Sequence, residues 1–229
     1  MNAPNLATTA TQQDSDFVQF WNTVLAPKFI KYKHILVDGL TQHSEAVFPN
    51  LPVKVGDRVL DVGCGFGDTA IKLAHQVGPT GEVVGVDCCD AFLEYAENDA
   101  KARSVENVRF ARADAEIELP TEQFDFVFAR FGTMFFANPV AGLRNMRKAL
   151  KPGGKMVHIV WRNRADNPWL SMAKDVVLDL LILKSKYSRI DGLRRIIVGL
   201  GSSGSTDSQE LYVPQSANRL CCPLRPMYK

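Results

Sequence analysis

The residues that could do chemistry stand in short runs where acids and glycines alternate. In the first run, 61–68, every second residue from 63 to 67 is glycine, flanked by an acid at either end. Glycine has no Cβ atom, so such a run lets a ligand approach the main chain closely. Asp87 stands twenty residues beyond Gly67, the distance at which an acid accepts the hydroxyl groups of an adenosine ribose. The residues assigned to this predicted nucleotide-like site are Asp61, Gly63, Gly65, Gly67 and Asp87.

Two further runs follow predicted strands. Asp114-Ala115 offers a carboxylate and a main-chain amide that suit the edge of an adenine ring. The run from Arg130 to Phe136 joins a cation to several aromatic side chains. In a doubly wound sheet, ligands bind beyond the carboxyl ends of the strands, where the strand order reverses. We therefore expect all of these runs to converge on one site.

The residue at position 68 separates two ligand classes that share this arrangement. A dinucleotide site has the spacing G-x-G-x-x-G, which would put its third glycine at position 68, and it holds a pyrophosphate at a helix N-terminus. Position 68 is instead Asp68, and Asp61 adds a second negative charge nearby. These carboxylates repel a pyrophosphate but tolerate a cation. They favour S-adenosylmethionine, which carries a sulfonium and an ammonium, over a nicotinamide dinucleotide.

Five short runs rich in β-branched and aromatic residues predict strands, and helical patterns separate them. The predicted strands are 58–62, 82–86, 108–111, 124–129 and 155–160; the helices are 68–75, 90–102 with Asp90 as its N-cap, and 139–149, which a turn at 151–154 follows. Near-continuous apolar runs suit strands covered on both faces. Right-handed crossovers then give a doubly wound sheet. We expect an α/β fold with a Rossmann-like, mostly parallel sheet.

A helical segment precedes this sheet. Residues 17–48 carry apolar side chains at helical spacing, and Phe17, Phe20, Trp21 and Val24 are predicted to share one face. Pro27 stops or restarts the helix, because proline has no amide hydrogen to donate. We interpret the segment as an N-terminal helical cap on the sheet domain.

These runs resemble known sequence motifs. The run 59–67 resembles motif I of class I S-adenosylmethionine-dependent methyltransferases; 84–87 resembles their acidic ribose motif, 113–115 their adenine motif, 124–130 their motif IV and 150–155 the "L-K/R-P-G-G" turn before their fifth strand. The resemblance covers about residues 50–165. More narrowly, 130–136 and the tryptophans at 161 and 169 resemble bacterial ubiquinone/menaquinone C-methyltransferase-like proteins, of the methyltransferase type 11 group.

The resemblance implies a role for each residue near the methionyl part of the cofactor. Gly63 and Gly65 let that part approach the main chain, and Asp61 lies near its ammonium. Arg130 contacts the methionyl part or closes over it. Many relatives carry Thr or Ser where Phe66 stands, so a side-chain oxygen for the ligand is missing here.

The resemblance also implies how the adenosine part is held. Asp87 binds the ribose hydroxyl groups, and Cys88 packs beside the adenine. Asp114 accepts from the exocyclic amine, while the Ala115 amide donates to the ring. All of these residues precede position 150, and so they belong to the predicted sheet domain.

The C-terminal part departs from the family. Residues 184–229 contain eight Lys/Arg and three Asp/Glu, a net charge of +5, with a Ser/Gly stretch at 201–205. The two strands that usually complete the sheet are not recognisable there, although 195–199 and 210–213 could imitate the hairpin. A divergent tail and a frameshifted or spliced one both stay open. We expect a flexible leader at 1–16, a methyltransferase domain with its cap at 17–183, and an atypical, disordered basic tail at 184–229.

Composition bounds the remaining classes. The chain has 229 residues, 46% hydrophobic and 23% charged, which is ordinary for a folded domain. Its net charge of +2 falls short of a nucleic-acid-binding balance. No apolar run reaches the ~20 residues of a membrane span. The five cysteines have neither CxxC nor zinc-ligand spacing, so we expect no metal and a reducing, cytoplasmic location.

The sequence predicts a small-molecule methyl acceptor of apolar character, given the aromatic residues at 131–136. No residue is assigned as catalytic; among the histidines, His158 is expected in the core and His34, on the cap, could serve as a base. Two alternatives stay open: a non-catalytic module that binds the cofactor or a partner, and a nicotinamide oxidoreductase, which Asp68 disfavours. The oligomeric state stays open.

Overall fold

The computed structural model describes residues 14–168, 172 and 174–180. The chain divides after Asn163 into two compact units, each described by itself. The first unit holds the sheet and every site residue predicted above. In the second, the described residues include a short 3₁₀ helix, Arg164–Asp166. The predicted tail at 184–229 and most of the predicted leader lie outside the described residues.

A five-stranded parallel sheet forms the centre of the first unit. Its strands are β1 (Arg58–Val62), β2 (Glu82–Asp87), β3 (Val108–Arg112), β4 (Phe124–Arg130) and β5 (Leu150–Ile159), in the order β3-β2-β1-β4-β5. All four neighbouring pairs are parallel. The order reverses between β1 and β4, so the predicted doubly wound α/β fold is confirmed.

Helices cover both faces of the sheet. They are α4 (Asp68–Val77), α5 (Asp90–Ala102) and α6 (Pro139–Ala149). Alternate residues of each strand point to opposite faces. Val59 and Phe126 pack with α4 on one face, whereas Leu60 and Val127 pack with α6 on the other. This double cover explains why β1 and β4 read as nearly continuous apolar runs.

The fifth strand begins earlier than predicted. The turn expected at 151–154 is part of β5, as an irregularity in its pairing: Phe124 pairs with Leu150, but Phe126 pairs with Lys155. Lys151 Nζ bonds both carboxylate oxygens of Asp125 at 2.8 Å, which holds the extra residues against β4. The prediction of a separate turn was wrong because the local Pro-Gly-Gly signal carries no information about this cross-strand bond.

The cap, residues 14–47, is helical as predicted but is interrupted twice. Its parts are α1 (Asp16–Phe20), a π-helical turn (Trp21–Leu25), α2 (Ala26–Lys31) and α3 (Lys33–Val47). Pro27 restarts the helix after the π turn. The expectation of one shared face was wrong: Trp21 is buried, whereas Phe20 and Val24 are exposed.

Two ends of elements also differ from expectation. Asp90 is the first residue of α5 and not its N-cap; that position belongs to Cys89, whose amide donates to Asp87 Oδ1 at 3.0 Å. At the start of the cap, Ser15 caps α1, and Asp14 pairs with Arg112 at 2.6 Å. Both Asp14 and Ser15 belong to the region predicted as a flexible leader.

Candidate functional site

The glycine loop, residues 63–67, joins β1 to α4 at the carboxyl edge of the sheet. The amides of Gly63 and Cys64 both donate to Val86 O, at 2.8 and 3.1 Å, which fixes the loop against β2. A Cβ atom on Gly63 would lie 3.1 Å from Gly132 Cα, whereas one on Gly65, at φ +54°, would meet no protein atom within 4 Å. The space beside Gly65 is therefore where a ligand could approach the main chain.

Gly67 has a different neighbourhood. A Cβ atom there would lie 2.6 Å from Ala96 Cβ and 2.9 Å from the Phe110 ring. Its φ of +81° ends the loop directly before α4. These contacts give Gly67 a packing role between α4, α5 and β3, and its predicted contact with a cofactor stays a prediction.

Asp87, the last residue of β2, ties the glycine loop to the next loop. One carboxylate oxygen accepts from the Gly65 amide at 2.9 Å and the other from the Cys89 amide at 3.0 Å. Burial raises the pKa of Asp87, against these main-chain hydrogen bonds, which favour the charged form. A carboxylate oxygen has more than one lone pair, so each can accept a further hydroxyl group. The structure thus brings together Gly65 and Asp87, as the spacing predicted.

Asp61 lies in β1 and is fully buried. Its Oδ2 accepts from the Thr69 hydroxyl at 2.6 Å, whereas its Oδ1 is buried without a hydrogen-bond partner among the described residues. Burial raises the pKa of Asp61 to about 7, against the Thr69 bond and the nearby Arg130, which lower it. A buried carboxylate oxygen without a donor is costly, and a bound ammonium group would satisfy it. This is the arrangement expected beside a cationic ligand.

Arg130, at the end of β4, is held by two elements far away in the sequence. Its guanidinium forms a two-pronged ion pair with Asp68, both contacts at 2.8 Å, and donates to Ser44 Oγ on α3 at 3.1 Å. The side chain is 8% exposed. Asp68 is therefore neutralised by an internal cation, so it repels a pyrophosphate less than its position in the sequence indicates. The buried charge that still favours a cation is Asp61.

The residues predicted to hold the adenine lie on the loops after β2 and β3. Asp114 Oδ1 accepts from the Glu116 amide at 2.9 Å, which leaves Oδ2 for another donor. Ala115 is buried, and its carbonyl accepts from Asn145 of α6 at 3.0 Å. Cys88 is half-buried; burial, with Asp87 and Asp114, raises the pKa of its thiol to about 12. The thiol is thus neutral and suited to packing rather than to nucleophilic attack.

The cap docks on these same loops. Phe66 of the glycine loop packs on Phe92 with ring centroids 4.7 Å apart, and Trp21 meets Phe92 and Phe135 edge-on. Asn22 donates to Cys88 O at 3.0 Å and accepts from the Asp90 amide. Phe66 shares a buried cluster with Trp21 and Ala26 of the cap, at the position where relatives are expected to offer a ligand oxygen. These contacts join residues distant in the sequence and have no local sequence pattern.

A second aromatic contact lies between the cap and the ends of β4 and β5. The Phe131 and Trp161 rings stack 4.3 Å apart, and the His43 ring meets both edge-on at 5.5 and 5.1 Å. We call His43, Phe131 and Trp161 the aromatic group. Phe131 has φ +55°, a strained value for a bulky residue and one that is often linked to function. No sequence pattern pointed to His43; the histidine considered as a base was His34, which is exposed.

His158 in β5 is partly buried and lies outside the buried core clusters, so its predicted place in the core was wrong. Its Nε2 has no hydrogen-bond partner among the described residues, and burial lowers the pKa of the ring to about 4. The ring is therefore neutral near pH 7. Over the described part of the chain, His, Cys, Asp and Glu form no group of three that could hold a metal ion. Over that same part, no helix is long and apolar enough to cross a membrane.

A family model described as a methyltransferase domain matches residues 53–190. The match covers more than half of the chain, so the chain belongs to this family of methyltransferase domains. The predicted resemblance to class I S-adenosylmethionine-dependent methyltransferases is confirmed at this level. S-adenosylmethionine, which the sequence predicted, is the cofactor of that class.

One curated relative is the demethylmenaquinone methyltransferase of Staphylococcus aureus (strain JH9), which is 42% identical over 138 residues, covering 58% of this chain and 55% of that protein. The chain thus spans about half the length of the curated relatives it matches. Among solved structures, a SAM-dependent methyltransferase from Aquifex aeolicus is 28% identical, with a TM-score of 0.49, over 52% of this chain and 63% of that one.

A second solved structure, a chain of the complex between the Haloferax volcanii Trm112 methyltransferase activator and a candidate methyltransferase, is 22% identical. The match covers 56% of either chain with a TM-score of 0.51. It agrees with the observed α/β fold.

Proposed function

We propose that this chain binds S-adenosylmethionine at the glycine loop and transfers its methyl group to a small, apolar acceptor. Two observations carry the cofactor assignment: Asp61 Oδ1 is buried without a hydrogen-bond partner among the described residues, and the main chain at Gly65 borders open space. The ammonium group of S-adenosylmethionine would fit both the buried carboxylate oxygen and the open space. A pyrophosphate does not, because it would add negative charge beside a buried acid.

The chain's own residues would hold the cofactor in three places. Asp61 would pair with its ammonium, Asp87 would accept its ribose hydroxyl groups, and Asp114 with the Ala115 amide would meet its adenine. Gly65 leaves room at the main chain, whereas Gly63 lets the loop approach Gly132 closely. Cys88 would pack beside the ring. When bound, S-adenosylmethionine supplies a methyl group on an electrophilic sulfonium. Arg130, which is paired with Asp68 and Ser44, would keep the cap closed over the methionyl part.

Methyl transfer is an in-line displacement, so alignment of the acceptor and exclusion of water supply much of the rate. The cap contributes to both, because its Trp21 and Asn22 contact the loops that follow β2 and β4. The aromatic group lies at the same edge of the sheet. Its rings suit a planar, apolar acceptor, which would bind beside them.

The acceptor we propose is a quinone-type ring in its reduced form; the Staphylococcus aureus relative is named a demethylmenaquinone methyltransferase. A ring carbon that gains a methyl group must lose a proton. His43 contacts both other rings of the aromatic group and is the side chain we propose as acceptor of that proton. His34 is exposed and has no comparable contact in the described structure.

Calorimetric titration tests the cofactor and a turnover assay tests the acceptor. We expect the full chain to bind S-adenosylmethionine and S-adenosylhomocysteine but not NAD. Mass spectrometry should then detect a methylated product with a reduced demethylmenaquinone analogue, and less with its oxidised form. Binding of NAD alone would overturn the cofactor assignment. Cofactor binding without turnover on any apolar ring would support the alternative of a non-catalytic module.

A further inference from the structure

The β2 loop, which consists of Cys88 and Cys89 between β2 and α5, has a central peptide group that is held from two sides. On the sheet side, the Cys89 amide donates to Asp87 Oδ1 at 3.0 Å. On the cap side, Cys88 O accepts from Asn22 Nδ2 at 3.0 Å. Asn22 Oδ1 also accepts from the next amide, that of Asp90, at 3.3 Å. Asp87 and Asn22 therefore fix the same short piece of main chain.

Asn22 has the position and the partners of a main-chain clamp. It lies in the π-helical turn Trp21–Leu25 of the cap, a rare type of turn that is often found at functional sites. Besides its bonds to the β2 loop and to Asp90, its Nδ2 donates to Val18 O at 3.0 Å. The half-buried side chain thus joins the main chain of the cap to the main chain that follows β2.

The β2 loop lies where we place the adenosine half of S-adenosylmethionine. Asp87 would accept the ribose hydroxyl groups, and Cys88 would pack beside the adenine. Displacement of the peptide group between Cys88 and Cys89 would move both contacts. A side chain that fixes this peptide group can therefore set cofactor affinity without touching the cofactor.

Building on the function proposed above, we propose that Asn22 is a positioning residue for the adenosine half of the cofactor. When the cap is docked, Asn22 holds the β2 loop in the geometry that Asp87 and Cys88 need for binding. When the cofactor is bound, it holds the same loop from the other side and so strengthens the docking of the cap. Such a coupling is reciprocal: docking changes cofactor affinity by the same factor by which the cofactor changes docking.

A purely structural role for Asn22 has different consequences. If Asn22 only stabilised the cap, its loss would reach the cofactor through Arg130, which joins Ser44 of the cap to Asp68 and which we place over the methionyl part. A ligand without the amino-acid part would then bind as before. Such a ligand is 5′-methylthioadenosine, because it keeps the adenosine half of S-adenosylhomocysteine and lacks the amino acid. The two ligands therefore separate a positioning role from a structural one.

Calorimetric titration of the full chain with both ligands tests the proposal. Asn22→Ala should weaken the binding of both by the same factor, about threefold to fivefold, which is within the range of one net hydrogen bond. Asn22→Asp has the same size but sets an oxygen beside Cys88 O, so it should lose at least as much.

Gln19→Ala is the matched control. Gln19 carries the same amide group at an exposed position of the cap, and its Nε2 donates to Asp14 O, away from the β2 loop. This variant should bind both ligands like the unchanged protein. Circular dichroism should be the same for the unchanged protein and all three variants.

Two further measurements address the coupling between the cap and the cofactor. In Asn22→Ala/Asp87→Ala, the loss of S-adenosylhomocysteine affinity should be smaller than the product of the two single losses, because both side chains act through one loop. In the unchanged protein, S-adenosylhomocysteine should slow hydrogen exchange over 16–25 about threefold to fivefold, by the reciprocity above. Asn22→Ala should lose this slowing.

Three outcomes would overturn the proposal. Unchanged affinity for both ligands in Asn22→Ala, with weakened binding in Asp87→Ala, would show that Asn22 does not position the loop, while the proposed cofactor site would stand. A loss for S-adenosylhomocysteine alone would assign Asn22 to closure of the cap over the methionyl part. Unchanged affinity in both Asn22→Ala and Asp87→Ala would place the adenosine half elsewhere, and the proposed cofactor site would then be wrong as well.

Discussion

The glycine loop and the cap meet at the same edge of the sheet but are built in different ways. The glycine loop is held by main-chain hydrogen bonds to β2 and by Asp87, all within a few residues of strand ends. The cap is held by side chains: Trp21 against Phe92 and Phe135, and Ser44 against Arg130. Main-chain construction leaves a pattern of glycines and acids in the sequence. Side-chain construction leaves only apolar residues that any helix could carry.

The glycine loop and the cap differ in how much sequence variation they tolerate. The glycine loop depends on backbone angles and close approach that few other residues permit. The cap depends on the fit of aromatic rings, which can be repacked. We therefore assign cofactor binding to the glycine loop and selection of the acceptor to the cap and the aromatic group.

Trp21→Ala should release the cap and leave the glycine loop in place. Trp21 meets four aromatic rings, and removal of a buried tryptophan costs about 3–5 kcal/mol. Hydrogen exchange followed by mass spectrometry should show faster exchange over 16–47 and unchanged protection over 58–75. S-adenosylhomocysteine affinity should fall less than tenfold, because only Asn22 of this segment bonds the loop after β2.

The neighbouring Phe20→Ala is the matched control, since Phe20 is exposed. It should leave exchange over the cap unchanged. Loss of protection in the glycine loop of Trp21→Ala would show that the two halves fold as one, and the comparison above would be wrong.

Asp61→Asn should remove a pH dependence of stability that originates in β1, next to the glycine loop in the sequence. The pKa of Asp61 is raised from 3.8 to about 7, so between these values the folded protein keeps a proton that the unfolded chain has released. Stability therefore falls as pH rises from about 4 to 7 and is constant above. At 1.36 kcal/mol per pH unit, this group lowers the free energy of unfolding by roughly 4 kcal/mol at pH 7 and above.

Urea unfolding at pH 5 and pH 8 measures the effect. The free energy of unfolding of Asp61→Asn, relative to the unchanged protein, should increase between the two pH values. The exposed Asp38→Asn should show no such increase. S-adenosylmethionine affinity of the unchanged protein should rise with pH over the same range, because the ammonium group pairs with the ionised carboxylate. Parallel pH profiles for Asp61→Asn and the unchanged protein would contradict the assignment.

Much of the structure around the glycine loop could be predicted from the sequence. Strand β1 was predicted at both ends, and the spacing from Gly67 to Asp87 placed the acid beside the loop, because parallel strands bring their carboxyl ends together. The register between β4 and β5 could not be predicted, since it depends on the bond between Lys151 and Asp125. Such a bond has no local pattern.

For the cap, the sequence predicted helical structure but not the contacts of its side chains. Phe20 and Trp21 are adjacent and both aromatic, so periodicity alone could not tell which faces the domain. The pairing of Arg130 with Asp68 joins residues 62 positions apart, and it changes the meaning of a charge that looks free in the sequence. Long-range side-chain pairs of this kind require the fold.

Asp87→Ala should weaken cofactor binding through lost contacts beside the glycine loop and not through the cap. A charge-assisted hydrogen bond contributes about 1.5–3 kcal/mol, less what water restores. S-adenosylmethionine affinity should fall at least tenfold in calorimetric titration, while circular dichroism stays unchanged. Asp87→Asn, which keeps an acceptor for the Gly65 amide, should lose less. The exposed Asp90→Ala is the control and should bind normally. An unchanged dissociation constant in folded Asp87→Ala would show that this carboxylate does not bind the ribose.

Asp14→Asn should have the smallest effect, although it breaks a two-pronged ion pair. Asp14 and Arg112 join the start of the cap to the end of β3. Both side chains are partly exposed, at 36% and 42%, and surface pairs contribute at most about 1 kcal/mol because water solvates the separated charges. We expect a change in the free energy of unfolding below about 0.5 kcal/mol and none in cap exchange. A larger loss would mean that charge, and not aromatic packing, holds the cap on the sheet, and Trp21→Ala would then release it less than we predict.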